Sequence, residues 1–219
     1  MEPGPFEEQR RRMVRRLVAG GYIRTREVEG AMTAVPREMF LPPDIAGEAY
    51  VDSPMPIGMG QTISAPHMVA IMEEELELAP GLKVLEIGAG SGYHAAVTAE
   101  LVGPGGRVVS VERIPELVDY ARANISKSGY SGQVEVVLGD GSKGIPEMAP
   151  FDRIFVACGA PGVPEPLTDQ LAEGGVMLVP VGSRYCQDLI KVRKRKGKVT
   201  RESRGGCIFV PLIGEYGYG

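Results

Sequence analysis

"KVLEIGAGSGYHAAVTAELV", Lys83 to Val102, is the stretch that decides the fold. Lys83–Ile87 is a short β-forming run, "GAGSG" (88–92) is a glycine loop, and from Tyr93 the apolar positions recur at helical spacing. Strand, glycine loop and helix in that order let the backbone approach a ligand and set a helix N-terminus against it. A dinucleotide fingerprint, G-x-G-x-x-G, starts correctly at Gly88 and Gly90 but requires glycine where Tyr93 stands; the third glycine is Gly92. Glu86 at the mouth of the loop would also repel a pyrophosphate.

Outward from this unit the chain alternates. "RVVSVE" (107–112) reads as a strand, and "PELVDYARANISKSG" (115–129) as a helix with proline in its first turn and glycine beyond its end. "VEVVLGD" (134–140), "DRIFVA" (152–157) and "GVMLVPV" (175–181) are further apolar strands, with a helix in "PEPLTDQLAEGG" (164–175). Such alternation predicts a doubly wound α/β fold, a mostly parallel sheet with helices on both faces. "QDLIKVRKRKGKVTRES" (187–203), followed by "GGCIFVPLI" (205–213), predicts a C-terminal antiparallel hairpin turning at Lys196-Gly197. Residues 1–60 read as a helical N-terminal extension: a helix from Phe6 to Val18 stopped by Gly20-Gly21, then one capped by Thr25 and broken by "VPREMFLPP" (35–43). The expectation is one domain over 1–219, with its α/β core at 61–219.

Composition narrows the classes. The 219 residues are 43% hydrophobic and carry 24 Lys and Arg against 28 Asp and Glu, a net charge of −4. No apolar run approaches the roughly 20 residues of a membrane span, and the N-terminus lacks the apolar core of a signal peptide. No membrane association is expected. Cys158, Cys186 and Cys207 form no CxxC pair, which predicts buried thiols, no metal site and a cytoplasmic location. Arg10, Arg11, Arg12, Arg15 and Arg16 fit a solvated helix face, and the Lys and Arg residues of 191–198 fit a charge-guarded edge hairpin. Neither cluster calls for a nucleic-acid partner, and a monomer is expected.

The acids point to a ligand. Glu86, Glu112 and Asp140 stand at the ends of three successive strands, where open α/β sheets bind their ligands. Glu112 is placed for ribose hydroxyls, Asp140 for an adenine amino group and Glu86 for a cation. With Gly88, Ala89, Gly90 and Gly92 of the loop, and Arg113 and Gly141 beside the acids, they form the expected cofactor site. S-adenosyl-L-methionine, which carries a sulfonium and an ammonium group, fits better than a dinucleotide; its product would be S-adenosyl-L-homocysteine.

Five segments, "VPREMFLPP", "YVDSPMPIGMGQTISAPHMVAIM" (50–72), "VLEIGAGSGYHAAV", "FDRIFVACGAPGVPEPLTDQLAEGG" (151–175) and "LVPVG" (178–182), resemble the protein-L-isoaspartate (D-aspartate) O-methyltransferases over nearly the whole chain. The glycine loop is shared by methyltransferases generally, whereas "GQTISAPHMVA" upstream of it is much more specific. The resemblance implies a Rossmann-like methyltransferase sheet. It implies methyl transfer from S-adenosyl-L-methionine to the free α-carboxyl of L-isoaspartyl, and D-aspartyl, residues in damaged proteins and peptides. The ester then closes to a succinimide that partly reopens to aspartate.

Under that resemblance Ser64 is the active-site residue. An α-carboxyl with a pKa of about 3.3–3.7 is ionised at neutral pH and needs no base; a neutral hydroxyl orients it without blunting its nucleophilicity as a cation would. Gln61 and Thr62 are neighbouring polar groups, His67 is a first-turn residue that lines the site, and Pro180 and Val181 wall the substrate pocket. Cys158, Gly159 and Ala160 are small enough for a peptide backbone to approach. Ser64 also fits as an N-cap ahead of Pro66, and His94 fits a packing or surface role. The alternatives are a methyltransferase acting on a nucleic acid or small molecule, which the "ACGAPG" (157–162) segment does not support, and a non-catalytic cofactor-binding module.

Overall fold

The computed structural model describes residues 4–219. Met1–Pro3, the start of the stretch read for a signal peptide, lie outside the described residues. The extension begins with α1 (Pro5–Ala19), which buries Met13, Val14 and Leu17, and α2 (Arg26–Ala34), whose Thr25 cap accepts from the Val28 amide. The arginine face of α1 is not wholly solvated. Arg16 donates to the Tyr50 carbonyl at 3.1 Å and Arg10 lies 3.8 Å from Glu38, so the helix clasps the 36–50 segment. That segment carries a single 3-10 turn at Arg37–Phe40 and another at Ala46–Glu48.

The polar stretch before the first βα unit is not an irregular loop. It folds as an antiparallel hairpin of β1 (Met55–Gly58) and β2 (Gln61–Ile63), turning at Met59-Gly60 with both residues left-handed. Met55 and Ile57 face the core while Pro56 and Gly58 face out. The extension is therefore not entirely helical. α3 (Pro66–Leu76) follows, and then the predicted unit: β3 (Lys83–Ile87), the glycine loop, and α4 (Tyr93–Val102).

β4 (Arg107–Glu112), α5 (Pro115–Lys127), β5 (Val134–Leu138), β6 (Phe151–Val156), α6 (Glu165–Gln170), β7 (Leu171–Gly182), β8 (Gln187–Arg195) and β9 (Lys198–Cys207) complete the chain. The sheet order is β5-β4-β3-β6-β7-β8-β9, parallel through β7 and antiparallel for the last two strands. Successive β3 residues serve opposite layers: Val84 packs with the cluster that includes Val97, and Leu85 with the one that includes Leu167. The chain builds outward from β3 to β5, then returns to place β6 on the other flank of β3. That reversal opens a crevice at the strand C-termini.

β8 and β9 turn at Lys196-Gly197, both with positive φ, as a two-residue hairpin loop requires. β9 ends at Cys207, so the "FVPLI" segment is not hairpin strand. It returns as a strap across the strand tips, where Pro211 bridges to Gly159 and the Leu212 amide donates to the Gly159 carbonyl at 2.7 Å. Cys186 is exposed, contrary to the expectation of three buried thiols; Cys158 and Cys207 are buried. Among the described residues no helix is long and apolar enough to cross a membrane, and no cluster of His, Cys, Asp and Glu is arranged to hold a metal ion.

Candidate active site

The glycine loop is built on backbone that side chains resist. Gly88, Gly90 and Gly92 have φ of 95°, 53° and 86°. At Gly92 a methyl group would also meet Ile125 Cγ1 at 3.1 Å, and at Gly90 it would meet Ile57 Cδ1 at 3.3 Å. The loop thus lies directly against the β1–β2 hairpin. Glu112 at the tip of β4 braces it: one carboxylate oxygen accepts from the Gly90 amide at 3.0 Å, the other from the Arg113 and Ile114 amides at 2.8 and 3.0 Å.

Above the strand tips is a cleft, open to solvent. Its lining brings together Glu86, Gly88, Ala89, Gly90, Glu112, Arg113 and Gly141 with Gln61, Thr62 and Ser64 and with Val210–Ile213 of the strap. Gly92 adjoins this lining as the N-cap of α4. Glu86 is fully buried. Its Oε2 accepts a hydrogen bond from Ser110, and its Oε1 has no partner. Burial, reinforced by Glu73 and Glu112 and opposed by the Ser110 hydrogen bond, holds its carboxyl well above the usual range.

Behind the loop is a second buried group. His94 lines the cleft and its ring centroid lies 4.2 Å from that of Phe155; Nε2 is 3.4 Å from Glu73 Oε1. Burial lowers the imidazole to about 3 and raises Glu73 to about 8, where the Thr98 hydroxyl opposes the rise. A charged pair at that distance would be an ion pair, but desolvation of both groups keeps them neutral near pH 7.

Other expected residues lie elsewhere. His67 lies off the cleft lining; its amide and Nδ1 each contact Asp52 Oδ1 at 2.9 Å. Pro180 and Val181 do not wall the cleft: the Pro180 carbonyl accepts from Ala160 and Val181 bridges to the same residue, so the strap takes their place. Asp140 sits beside the lining residue Gly141 and is engaged by the strap. Its Oδ1 accepts from the Ser142 amide and hydroxyl, and its Oδ2 from the Glu215 amide at 2.9 Å. Gly159 is small because a side chain there would meet Gln187 at 2.8 Å. Ser64 is not the N-cap of α3; Ala65 is, and no side chain caps that helix.

The family model for protein-L-isoaspartate(D-aspartate) O-methyltransferase matches residues 8–217. The chain belongs to this family. The protein-L-isoaspartate O-methyltransferase of Methanopyrus kandleri is 60% identical over 97% of this chain and 95% of its own. That of Hyperthermus butylicus is 55% identical, over 97% and 92%. A Plasmodium falciparum protein-L-isoaspartate O-methyltransferase, solved in complex with S-adenosyl-L-homocysteine, superposes with a TM-score of 0.84 at 27% identity, covering 93% of this chain and 98% of the other. A further solved protein-L-isoaspartate O-methyltransferase matches at 0.85 and 33%, covering 95% and 67%.

Three features of this isoaspartate methyltransferase escaped the sequence reading. The strap follows the hairpin as an apolar run in which Pro211 is the one residue that breaks a strand. Glu73 stands in "EEE" (73–75), where nothing in the sequence separates a buried carboxyl from its two neighbours. His94 follows the loop with no pattern to distinguish a cleft residue from a packed one.

Proposed function

We infer that the protein is an S-adenosylmethionine-dependent carboxyl O-methyltransferase of isoaspartyl residues in proteins and peptides, and we propose that Ser64 orients the acceptor carboxylate. The activity follows from family membership and from close relatives that carry that name. The cleft fits the donor. Glu86 Oε1 is a buried, unpartnered acceptor suited to an ammonium group, and the bare left-handed glycines leave room for close backbone approach. Glu112, with the ribose, and Arg113 and Gly141 complete the residues that would hold it. Bound there, S-adenosyl-L-methionine supplies a methyl group already activated by its sulfonium charge.

What remains for the chain is orientation and exclusion of water. The α-carboxyl of an isoaspartyl residue is ionised at neutral pH, with an ordinary pKa of about 3.3–3.7, so no general base is needed. Neither histidine is required as one: His94 is depressed to about 3 and His67 is held by Asp52 outside the cleft. Alignment of this kind contributes about 7–11 kcal/mol in well-oriented reactions. The observation that carries the Ser64 reading is that it lines the same cleft as the glycine loop and does not cap the helix. Its hydroxyl is free to donate to a carboxylate, with Gln61 and Thr62 beside it.

We further propose that residues 1–219 act as one domain, as a monomer in the cytoplasm, without a nucleic-acid partner. Three free cysteines support a reducing compartment. Part of the basic hairpin is paired within the chain: Lys191 with Glu75 and Glu77, Arg193 with Glu77, Arg204 with Glu75 at 3.2 Å. Incubation with methyl-labelled cofactor and a peptide in isoaspartyl and aspartyl forms tests the activity. Alkali-labile label on the isoaspartyl form alone is expected. Alkali-stable label on RNA, or tight cofactor binding without transfer, would refute it.

A further inference from the structure

Arg37 is the largest fully buried side chain of the protein, and no carboxylate pairs with it among the described residues. Its Nε donates to the Ala49 carbonyl and its Nη2 to the Ser64 carbonyl, both at 2.8 Å. The guanidinium carbon lies 4.8 Å from the centroid of Tyr93, the residue that starts α4 after the glycine loop. Nη1 has no partner, and neither has the Tyr93 hydroxyl. Burying a cation without a counter-ion costs several kcal/mol, so its place calls for a reason beyond packing.

Ser64 supplies one. It stands between the end of β2 and the start of α3, and neither element's hydrogen bonds hold it. β2 pairs only through Ile63, and the α3 ladder begins with the Ala65 carbonyl, which accepts from Met68 and Val69. The side chain of Ser64 caps nothing. The Arg37 contact is therefore the tie that fixes this residue's main chain, and the same guanidinium reaches the extension through Ala49 and the cofactor loop's helix through Tyr93.

We propose that Arg37 is a positioning residue: through the Ser64 carbonyl it sets the direction of the serine hydroxyl relative to the glycine loop. The fork is needed because one head group must satisfy two carbonyls at once; lysine keeps the charge but reaches one. The inference rests on the Ser64 role proposed above.

A double-mutant cycle between Arg37→Lys and Ser64→Ala tests it, with S-adenosyl-L-homocysteine binding and a thermal melt as controls for folding. Arg37→Lys is expected to lower kcat/KM for an isoaspartyl peptide roughly tenfold to a hundredfold, the scale of a misplacement of about 1 Å. Product affinity should stay within about twofold, because Arg37 does not line the cleft. In the Ser64→Ala background the same change should cost less than about twofold. Equal cost in both backgrounds, or no cost in either, overturns the positioning role and leaves Ser64 standing. A Ser64→Ala protein with unaltered kinetics removes the Ser64 reading itself. If Arg37→Lys melts below the assay temperature, Arg37→Gln, neutral and cheaper to bury, carries the same cycle.

Discussion

Glu112 has two tasks on one carboxylate, bracing the Gly90, Arg113 and Ile114 amides and facing the cleft. Glu112→Ala is therefore expected to weaken cofactor binding by about 1.5–3 kcal/mol, roughly tenfold to 150-fold, in a calorimetric titration. The buried pair behind the loop gives a pH prediction. Glu73, near 4.5 when unfolded and about 8 when folded, keeps a proton the unfolded chain has lost, so its contribution to stability falls as pH rises between those values. His94, near 6.5 unfolded and about 3 folded, refuses a proton the unfolded chain accepts, so its contribution falls as pH drops through that window. Their slopes, about 1.36 kcal/mol per pH unit each, cancel between 4.5 and 6.5. In cofactor-free protein, Glu73→Gln should move the optimum of chemical-denaturation stability above pH 6.5, and His94→Gln should move it below 4.5. An unmoved optimum in both variants would show that folding shifts neither group.

Among elements, the strap is where sequence and structure part most. The central strands were legible because β3 and β4 are buried on both faces and are short β-forming runs, rich in Val, Leu and Ile, set between glycine or proline. The β1–β2 hairpin was not, since three or four residues are too few for alternation to stand out; Met55, Ile57 and Ile63 are its buried apolar positions. The strap continues from β9 in one apolar run, "CIFVPLI" (207–213), with no glycine or charge at the point where it leaves the sheet. Its anchors are non-local: Glu215 on Asp140, Tyr216 on Ser142, Tyr218 on Gly182. The acidic strand-end pattern singled out Asp140 for an adenine amino group, but no pattern in one chain reveals the Glu215 amide, a partner 75 residues away, on its carboxylate. Ending the chain after Ile213 removes those hydrogen bonds, each contributing about 0.5–1.5 kcal/mol, and should raise the dissociation constant of S-adenosyl-L-homocysteine roughly tenfold with an unchanged far-UV spectrum.

For the whole molecule, the cluster that holds α1 and α2 also holds β3, α4 and Leu189 of β8, so extension and sheet are packed as one. Calorimetry should show one unfolding transition with equal calorimetric and van't Hoff enthalpies. S-adenosyl-L-homocysteine at a hundred times its dissociation constant should add about 2.7 kcal/mol. Two resolved transitions would separate the extension from the sheet. The contact between Ile57 and Gly90 has a kinetic corollary. The hairpin leading to Ser64 rests on the loop that receives the donor, so a filled loop buttresses the acceptor's platform and an empty one does not. Donor should enter first and peptide second, and S-adenosyl-L-homocysteine should compete with the donor while inhibiting noncompetitively against peptide.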